Sequence, residues 1–299
     1  MSCLANKSGV LTILQHALES PQLNFSNLET FRQHLKTGFQ RYSSAYSSLF
    51  LGAQSATPGM AFLTGYQNAI RCLDPKCPVD ELAAFCVSEK GIKRPWDMAT
   101  SLSDSEDGYY LDGQKGYVML LPNDLDRMYV VAKNDDGQLR CLYLQADSLG
   151  VTPTETLAAP FVKDIPHAGA HFNKVHIPAE QLFDFDGHQQ ANKPFRYWED
   201  MHVGLAMMAW MLRELIENGQ LLSELDDIVE LICQLIEKFE KHPNYYSLDC
   251  FDLLDKSHEL MDEYSQYLSE KSKKSWLKDR LLLQMGQKIR QLIRLKMSR

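Results

Sequence analysis

No stretch of this chain approaches the roughly 20 consecutive apolar residues of a membrane-spanning helix, so the sequence predicts no helical membrane span. The glycine patterns that cradle phosphates are missing too. No G-x-G-x-x-G follows a strand-like run and no G-x-x-x-x-G-K-S/T occurs, so neither a Rossmann site nor a P-loop is signalled. No G-x-S-x-G elbow marks a serine hydrolase. Among seven cysteines, Cys72 and Cys77 fall close together, but no second pair follows at a zinc spacing. Cys86, Cys141 and Cys233 sit in apolar runs, and the thiols read as reduced and structural. His167, His171 and His176 are crowded, yet on a strand the first two share a face and the third does not, so no metal site is expected. Met1 to Lys7 lacks the basic-then-apolar order of a secretory leader. With the reduced thiols, this predicts a cytoplasmic protein.

Positive charge is scarce as well. The net charge is −8, which disfavours a nucleic-acid partner. The balance is uneven, with ten Lys/Arg against one Asp from Lys271 onward. Such a basic helix suits phosphates, a membrane surface, an acidic face of its own protein, or plain solvation.

The chain has 299 residues and a 44 % hydrophobic fraction, ordinary for a globular protein with its own core. Its organisation is helices, then strands, then helices, which predicts an α+β fold. Domain boundaries are expected at 1–80, 81–190 and 191–299. In the first part, Gly9 to Leu18 is a short amphipathic helix. Ser26-Asn27-Leu28-Glu29 is a capping box before a face of Leu28, Phe31, Leu35, Phe39 and Tyr42. Ser43 to Ser48 is small and polar, and Gly52 to Gly59 reads as a loop. Thr57-Pro58 caps the next helix, which Asp74-Pro75 ends.

The strand region carries Asp112-Gly113 between two β-prone runs, a hairpin signal. Met128–Ala132, Arg140–Leu144 and Ala170–Ile177 follow as strands. Ser103 to Asp107 reads as an acidic connection and Phe183 to Lys193 as a link. Four helical runs close the chain: His202–Glu217 ended by Asn218-Gly219, a run to Phe239, Ser247–Ser269 and Ser272–Met297. Short connections between them predict a four-helix bundle.

Two stretches look chemical. Phe85 to Asp97 begins as an apolar strand and ends in a loop with a hydroxyl, a carboxylate, two cations and an indole. Such a strand end suits a flat polar ring, with Lys93 and Arg94 toward phosphates. Lys193 to His202 gathers aromatics, Glu199, Asp200 and His202 at a helix start. The ordinary account there is a helix N-terminus stabilised by acids.

At these residues the chain resembles the acyl-CoA dehydrogenase family. Val87-Ser88-Glu89 stands for the family's Thr-Glu-Pro strand end and Thr100 for its spaced Thr. Gly108 to Met119 stands for its Gly-x-x-Leu-x-Gly-x-Lys-x-Trp-Ile-Thr segment. Phe172 to Pro178 and Gly204 to Ala209 match its later strand and helix. The resemblance implies N-terminal helices, a central β-barrel-like domain and a C-terminal four-helix bundle. It also implies FAD, an acyl-CoA substrate oxidised across a CH–CH bond, a carboxylate base, and a homodimer or homotetramer. By this likeness Val87 and Ser88 face the flavin's pyrimidine edge, and Tyr117 and Met119 its ring.

The sequence departs from the family in several places. Met119 replaces a Thr, leaving only a backbone donor. Lys93 to Asp97 replaces the Gly-Ser-Asp phosphate turn, and His202 an Arg. The family's Arg-x-x-Phe-Gly and Gln-x-x-Gly-Gly-x-Gly segments have no counterpart. Gln284 to Gln287 stands where its Tyr-Glu-Gly-Thr base loop belongs. The alternative base position on the first bundle helix falls at Met201, close to Glu199, the carboxylate candidate. Two expectations therefore stand: a flavin-dependent oxidoreductase, or a degenerate member that serves as a binding or scaffold protein.

Overall fold

The computed structural model describes residues 7–24, 27–121, 123–158 and 160–297. It divides into two compact units: Met1–Cys72, Pro160–Asp164 and Tyr197–Arg299 form one, and Leu73–Ala159 with Ile165–Arg196 the other. The first is helical and contains helices from both ends of the chain; the second holds the sheet.

The helical unit contains α1 (Lys7–Leu18), α2 (Leu28–Arg41), α3 (Ser44–Gln54) and α4 (Pro58–Leu73) from the first part of the chain. From the last part come α5 (Lys193–Glu217), α6 (Asp226–Lys241), α7 (Leu248–Tyr264), α8 (Glu270–Asp279) and α9 (Leu281–Met297). Met201 to Leu212 of α5 are buried on every side, as for a helix at the centre of a helical core. The capping box expected from Ser26 falls on a residue outside those described; Asn27 caps α2, accepting the Thr30 N–H (3.1 Å). Thr57 caps α4 as expected, its hydroxyl accepting from Met60 N–H (3.1 Å).

Ser43 to Ser48, read as small and polar, falls almost entirely in α3, which is almost wholly buried, and the loop expected over Gly52 to Gly59 shrinks to residues 55–57 between α3 and α4. Small residues serve close packing there. A Cβ at Gly52 would overlap the backbone of Ala206 on α5, and one at Gly65 the backbone of Val203. A pattern of Ser, Ala and Gly thus marks helices in near-backbone contact and mimics the composition of a loop. The expected helix from His202 begins at Lys193 instead, continuing a π-helical turn at Gly187–Asn192. The final run is interrupted at Arg280 into α8 and α9.

The sheet unit contains β1 (Ala83–Cys86), β2 (Ser101–Ser105), β3 (Gly108–Met119), β4 (Arg127–Asn134), β5 (Leu139–Gln145), β6 (Val151–Thr156), β7 (His167–Pro178) and β8 (Leu182–Asp186). The strand order is β6-β7-β3-β2-β4-β5-β8, with β1 also on β4. β1 and β2 follow one another along the same edge of β4, Ala83 opposite Arg127 and Ser101 opposite Lys133. Two connections of the sequence reading are strands: Ser103–Ser105 belongs to β2, and Phe183–Asp186 to β8, which pairs with β5.

Asp112-Gly113 is not a hairpin turn. The β2–β3 hairpin turns at Glu106-Asp107, between Ser105 and Gly108. Asp112 and Gly113 lie inside β3 at a bulge against β7, and the Asp112 carboxylate accepts the Lys174 N–H (2.9 Å). Gly113 has φ +131, and a Cβ there would come within 2.6 Å of Thr100 Cα. The glycine thus serves a bulge and a close strand approach, both of which share the positive-φ signature of a turn. Gly113→Ala is expected to lose about 2–4 kcal/mol of unfolding free energy through backbone strain and overlap, measured by urea unfolding.

Candidate functional site

Between β1 and β2 the chain leaves the β4 edge at Val87 and returns at Thr100. This excursion is pinned to β3. The Gly116 N–H donates to the Ser88 carbonyl (2.8 Å). The Lys115 ammonium, with no exposed side-chain surface, donates to Glu89 Oε1 (2.8 Å) and to the Val87 carbonyl (3.2 Å). Glu89 in turn accepts the backbone N–H groups of Ala99 (2.6 Å) and Thr100 (3.1 Å). One carboxylate therefore ties both ends of the excursion to one buried lysine. Burial pushes the Glu89 carboxyl up, but Lys115 and the two amide donors outweigh it and hold it below the usual range. Burial holds the Lys115 ammonium below the ordinary lysine value, against the pull of Glu89.

The sequence candidates on this unit fall around that knot. The Val87 side chain packs against Met98, Val131 and Leu139. Ser88 is exposed and is drawn by its carbonyl to Gly116, the neighbour of Tyr117. The Tyr117 ring is 40 % exposed and rests on His167 (centroids 4.8 Å apart). His167 is buried and donates Nδ1–H to the Ile165 carbonyl (2.9 Å). Met119 is buried opposite His167 in the β3–β7 register. Lys93 and Arg94 are both exposed on the excursion. The Arg94 guanidinium is held by both oxygens of Asp97 (2.6 and 3.0 Å). Beyond it, Trp96 stands edge-on to His188 (6.1 Å) at a cleft of about 510 Å³ that Arg140, Asp184 and Phe185 also line.

Glu199 lies on α5, in the helical unit, and is half-buried. Its neighbour Asp200 accepts from the Tyr246 hydroxyl and faces Arg290 (3.3 Å). Arg290 is buried on α9 and also donates to His258 Nδ1 (3.2 Å) and faces Asp255 (3.6 Å). Burial, and then the Arg290 charge, push His258 down to about 3. His202 is fully buried, donating Nδ1–H to the Trp198 carbonyl (2.6 Å) with Nε2 3.8 Å from Cys72 Sγ. Burial drives this imidazole down to about 4 and the Cys72 thiol up to about 12. The two are therefore a neutral pair at physiological pH, with neither the thiolate nor the imidazolium of a nucleophilic dyad.

The basic tail finds its partners on α7. Arg280 meets Asp262 (3.0 Å), Arg290 faces Asp255, and Arg294 meets Asp252 (2.7 Å). Of the readings open for it, an acidic face of its own protein accounts for these three arginines. Among the described residues no helix is long and apolar enough to cross a membrane. The Glu89–Lys115 pair was not read from the sequence. Its signal was a lysine in the middle of a strand that is otherwise apolar on that face.

The architecture has close structural counterparts. The prolyl acyl carrier protein oxidase AnaB superposes with a TM-score of 0.69 at 14 % identity, covering 97 % of each chain. Butyryl-CoA dehydrogenase from Megasphaera elsdenii gives 0.66 at 13 % identity, covering 95 % of this chain and 94 % of its own. PigA with FAD and proline gives 0.71 at 14 % identity, covering 97 % and 96 %. The fold is that of the acyl-CoA dehydrogenases. No family model and no curated protein matches the sequence. An acyl-CoA dehydrogenase fold is thus kept here at identities where sequence comparison finds nothing, which places the weight of any functional reading on individual side chains.

Proposed function

We propose that this chain is a flavin-dependent oxidoreductase acting on a CH–CH bond of a thioester-bound acyl group. The observation that carries the reading is the pinned excursion. It presents the exposed Ser88, whose carbonyl is bonded to the residue before the exposed Tyr117, with the Lys93 ammonium, which has no carboxylate partner among the described residues, further along the same loop. A hydroxyl, a flat ring and an open cation fit a planar polar heterocycle with a phosphate tail. The fold supports FAD as that group, since PigA is seen with FAD and a glutaryl-CoA dehydrogenase of the same fold with FADH2. Val87 and Ser88 would hold the ring edge through backbone and hydroxyl groups. Tyr117 and the Met119 backbone would meet its face, and Lys93, with Arg94, the diphosphate.

FAD, when bound, supplies a two-electron acceptor. The proton must go to a protein group within hydrogen-bond reach. Glu199 is the α5 carboxylate assigned to take it, because the family likeness puts the alternative base position beside it at Met201. Coenzyme A and a carrier protein both remain as the thioester carrier, because counterparts of this fold include examples of each. An apolar stripe on α9, exposed at Leu281, Met285, Ile289 and Leu292, supports association into a dimer or tetramer.

The test is the visible spectrum of the purified protein after incubation with FAD and removal of the free cofactor. Retained flavin bands, bleached anaerobically by an acyl-CoA or acyl-carrier thioester, are expected. Glu199→Gln should slow that bleaching by about 10²–10⁴-fold. A protein that stays colourless sinks the oxidoreductase reading and leaves the fold as a scaffold.

A further inference from the structure

Helices α1, α2 and α3 enclose a cleft of about 520 Å³, a volume in the roughly 300–1,000 Å³ range of small-molecule sites. Its polar groups are incomplete. Gln54, fully buried at the end of α3, accepts from His34 Nδ1 (2.9 Å), but its Nε2 is buried with no partner. His16 Nδ1, on α1, is likewise buried and unmatched. The Arg41 guanidinium has no carboxylate partner among the described residues and lies over the ring of the adjacent Tyr42 (5.5 Å). Three helices thus aim an amide, an imidazole and a guanidinium at one space. The acid on its lining is Glu19, which is exposed.

A buried polar group left without a partner costs about 1–3 kcal/mol, and two such groups beside an exposed guanidinium call for a ligand that brings several acceptor oxygens. Among the described residues no three side chains are grouped to hold a metal ion, so the donors do not describe a cation site. We propose that this cleft binds a small oxyanion, a phosphate or carboxylate head group, gripped by Arg41 and completed by donors from Gln54 and His16. The site is separate from every residue assigned above to flavin or substrate. Guanidinium–oxyanion pairing is charge-assisted and geometrically selective. Gln54 is close in sequence to Gly52, whose backbone abuts α5, so an anion that fixes Gln54 also stiffens the α3–α5 seam.

The test uses the full chain labelled with ¹³C in its histidine rings. Inorganic phosphate and succinate are titrated separately, with ionic strength held constant by sodium chloride. The expected result is saturable movement of the His16 and His34 signals with one of the two anions, and at least tenfold weaker binding in Arg41→Ala. Saturation by phosphate alone assigns a phosphate head, and by succinate alone a carboxylate. Movement that never saturates with either anion, or an unchanged affinity in Arg41→Ala, overturns the proposal. Arg41 is exposed, so that variant keeps the fold; Gln54→Leu provides a second variant, expected to weaken binding without adding charge.

Discussion

Lys115→Met is expected to lower the unfolding free energy by about 3–5 kcal/mol, a fall in Tm on the order of 10 °C, measured by urea and thermal unfolding. The reason is burial. The Lys115 side chain has no exposed surface and Glu89 only 6 %, so removing the lysine strands a carboxylate that water cannot solvate. Coulomb attraction is not the main quantity lost; the unpaired partner is. The double variant Lys115→Met/Glu89→Gln should therefore recover much of the loss. The neutral amide needs no counter-ion, and its single oxygen keeps one of the two backbone donors, since Ala99 and Thr100 donate to different carboxylate oxygens.

The pH dependence has a definite sign. Glu89 has a folded-state pKa below its unfolded one, so its contribution is complete above the unfolded value and is lost as pH falls through the folded value. Wild-type stability should thus drop across the acidic range by more than that of the double variant. Equal slopes would mean that the carboxylate is not held by the pair. Because the same knot fixes Val87, Ser88 and Tyr117, the flavin site proposed there requires the single variant to bind FAD more weakly than the double.

The strands were legible where one property dominated. β4, β5 and β7 are found from the apolar or alternating runs Met128–Ala132, Arg140–Leu144 and Ala170–Ile177, each lying inside the strand observed; their pairing and the register shifts on β7 are not. Asp112-Gly113 misled because a bulge glycine and a turn glycine obey the same backbone rule, and only the position of Thr100 tells them apart. α3 was hidden because its small residues encode a close crossing with α5, a fact held by Ala206 far along the chain. The site shows the same division. Ser88, Lys93 and Arg94 stand out from the local pattern of the Phe85–Asp97 stretch, whereas Tyr117 is named only through the family likeness. That Glu89 needs Lys115 and that Asp200 is occupied by Arg290 are pairings between distant segments, with no local pattern in a single sequence; Arg94 with Asp97 is an i,i+3 pair on one loop.

Arg290→Met is expected to cost about 3 kcal/mol or more, again as an uncompensated buried charge, whereas Arg294→Ala on the same helix should cost under about 1 kcal/mol. Both arginines sit on α9 and both meet an aspartate, so sequence, spacing and formal charge do not distinguish them. Burial does: side-chain exposure is 2 % for Arg290 and 7 % for Asp200, against 42 % for Arg294 and 65 % for Asp252. The exposed pair exchanges one hydrated state for another, while the buried one holds a carboxylate already removed from water. His258 supplies a readout that a simple packing defect would not move. Its imidazole is depressed first by burial and then by the Arg290 charge. Removing the guanidinium should raise its pKa from about 3 while leaving it below the ordinary histidine value, seen by ¹³C NMR of the ring. A stability loss with an unchanged His258 titration would assign Arg290 to packing alone. A rise in that titration together with the loss would establish the charge as what holds α9 to α5 and α7.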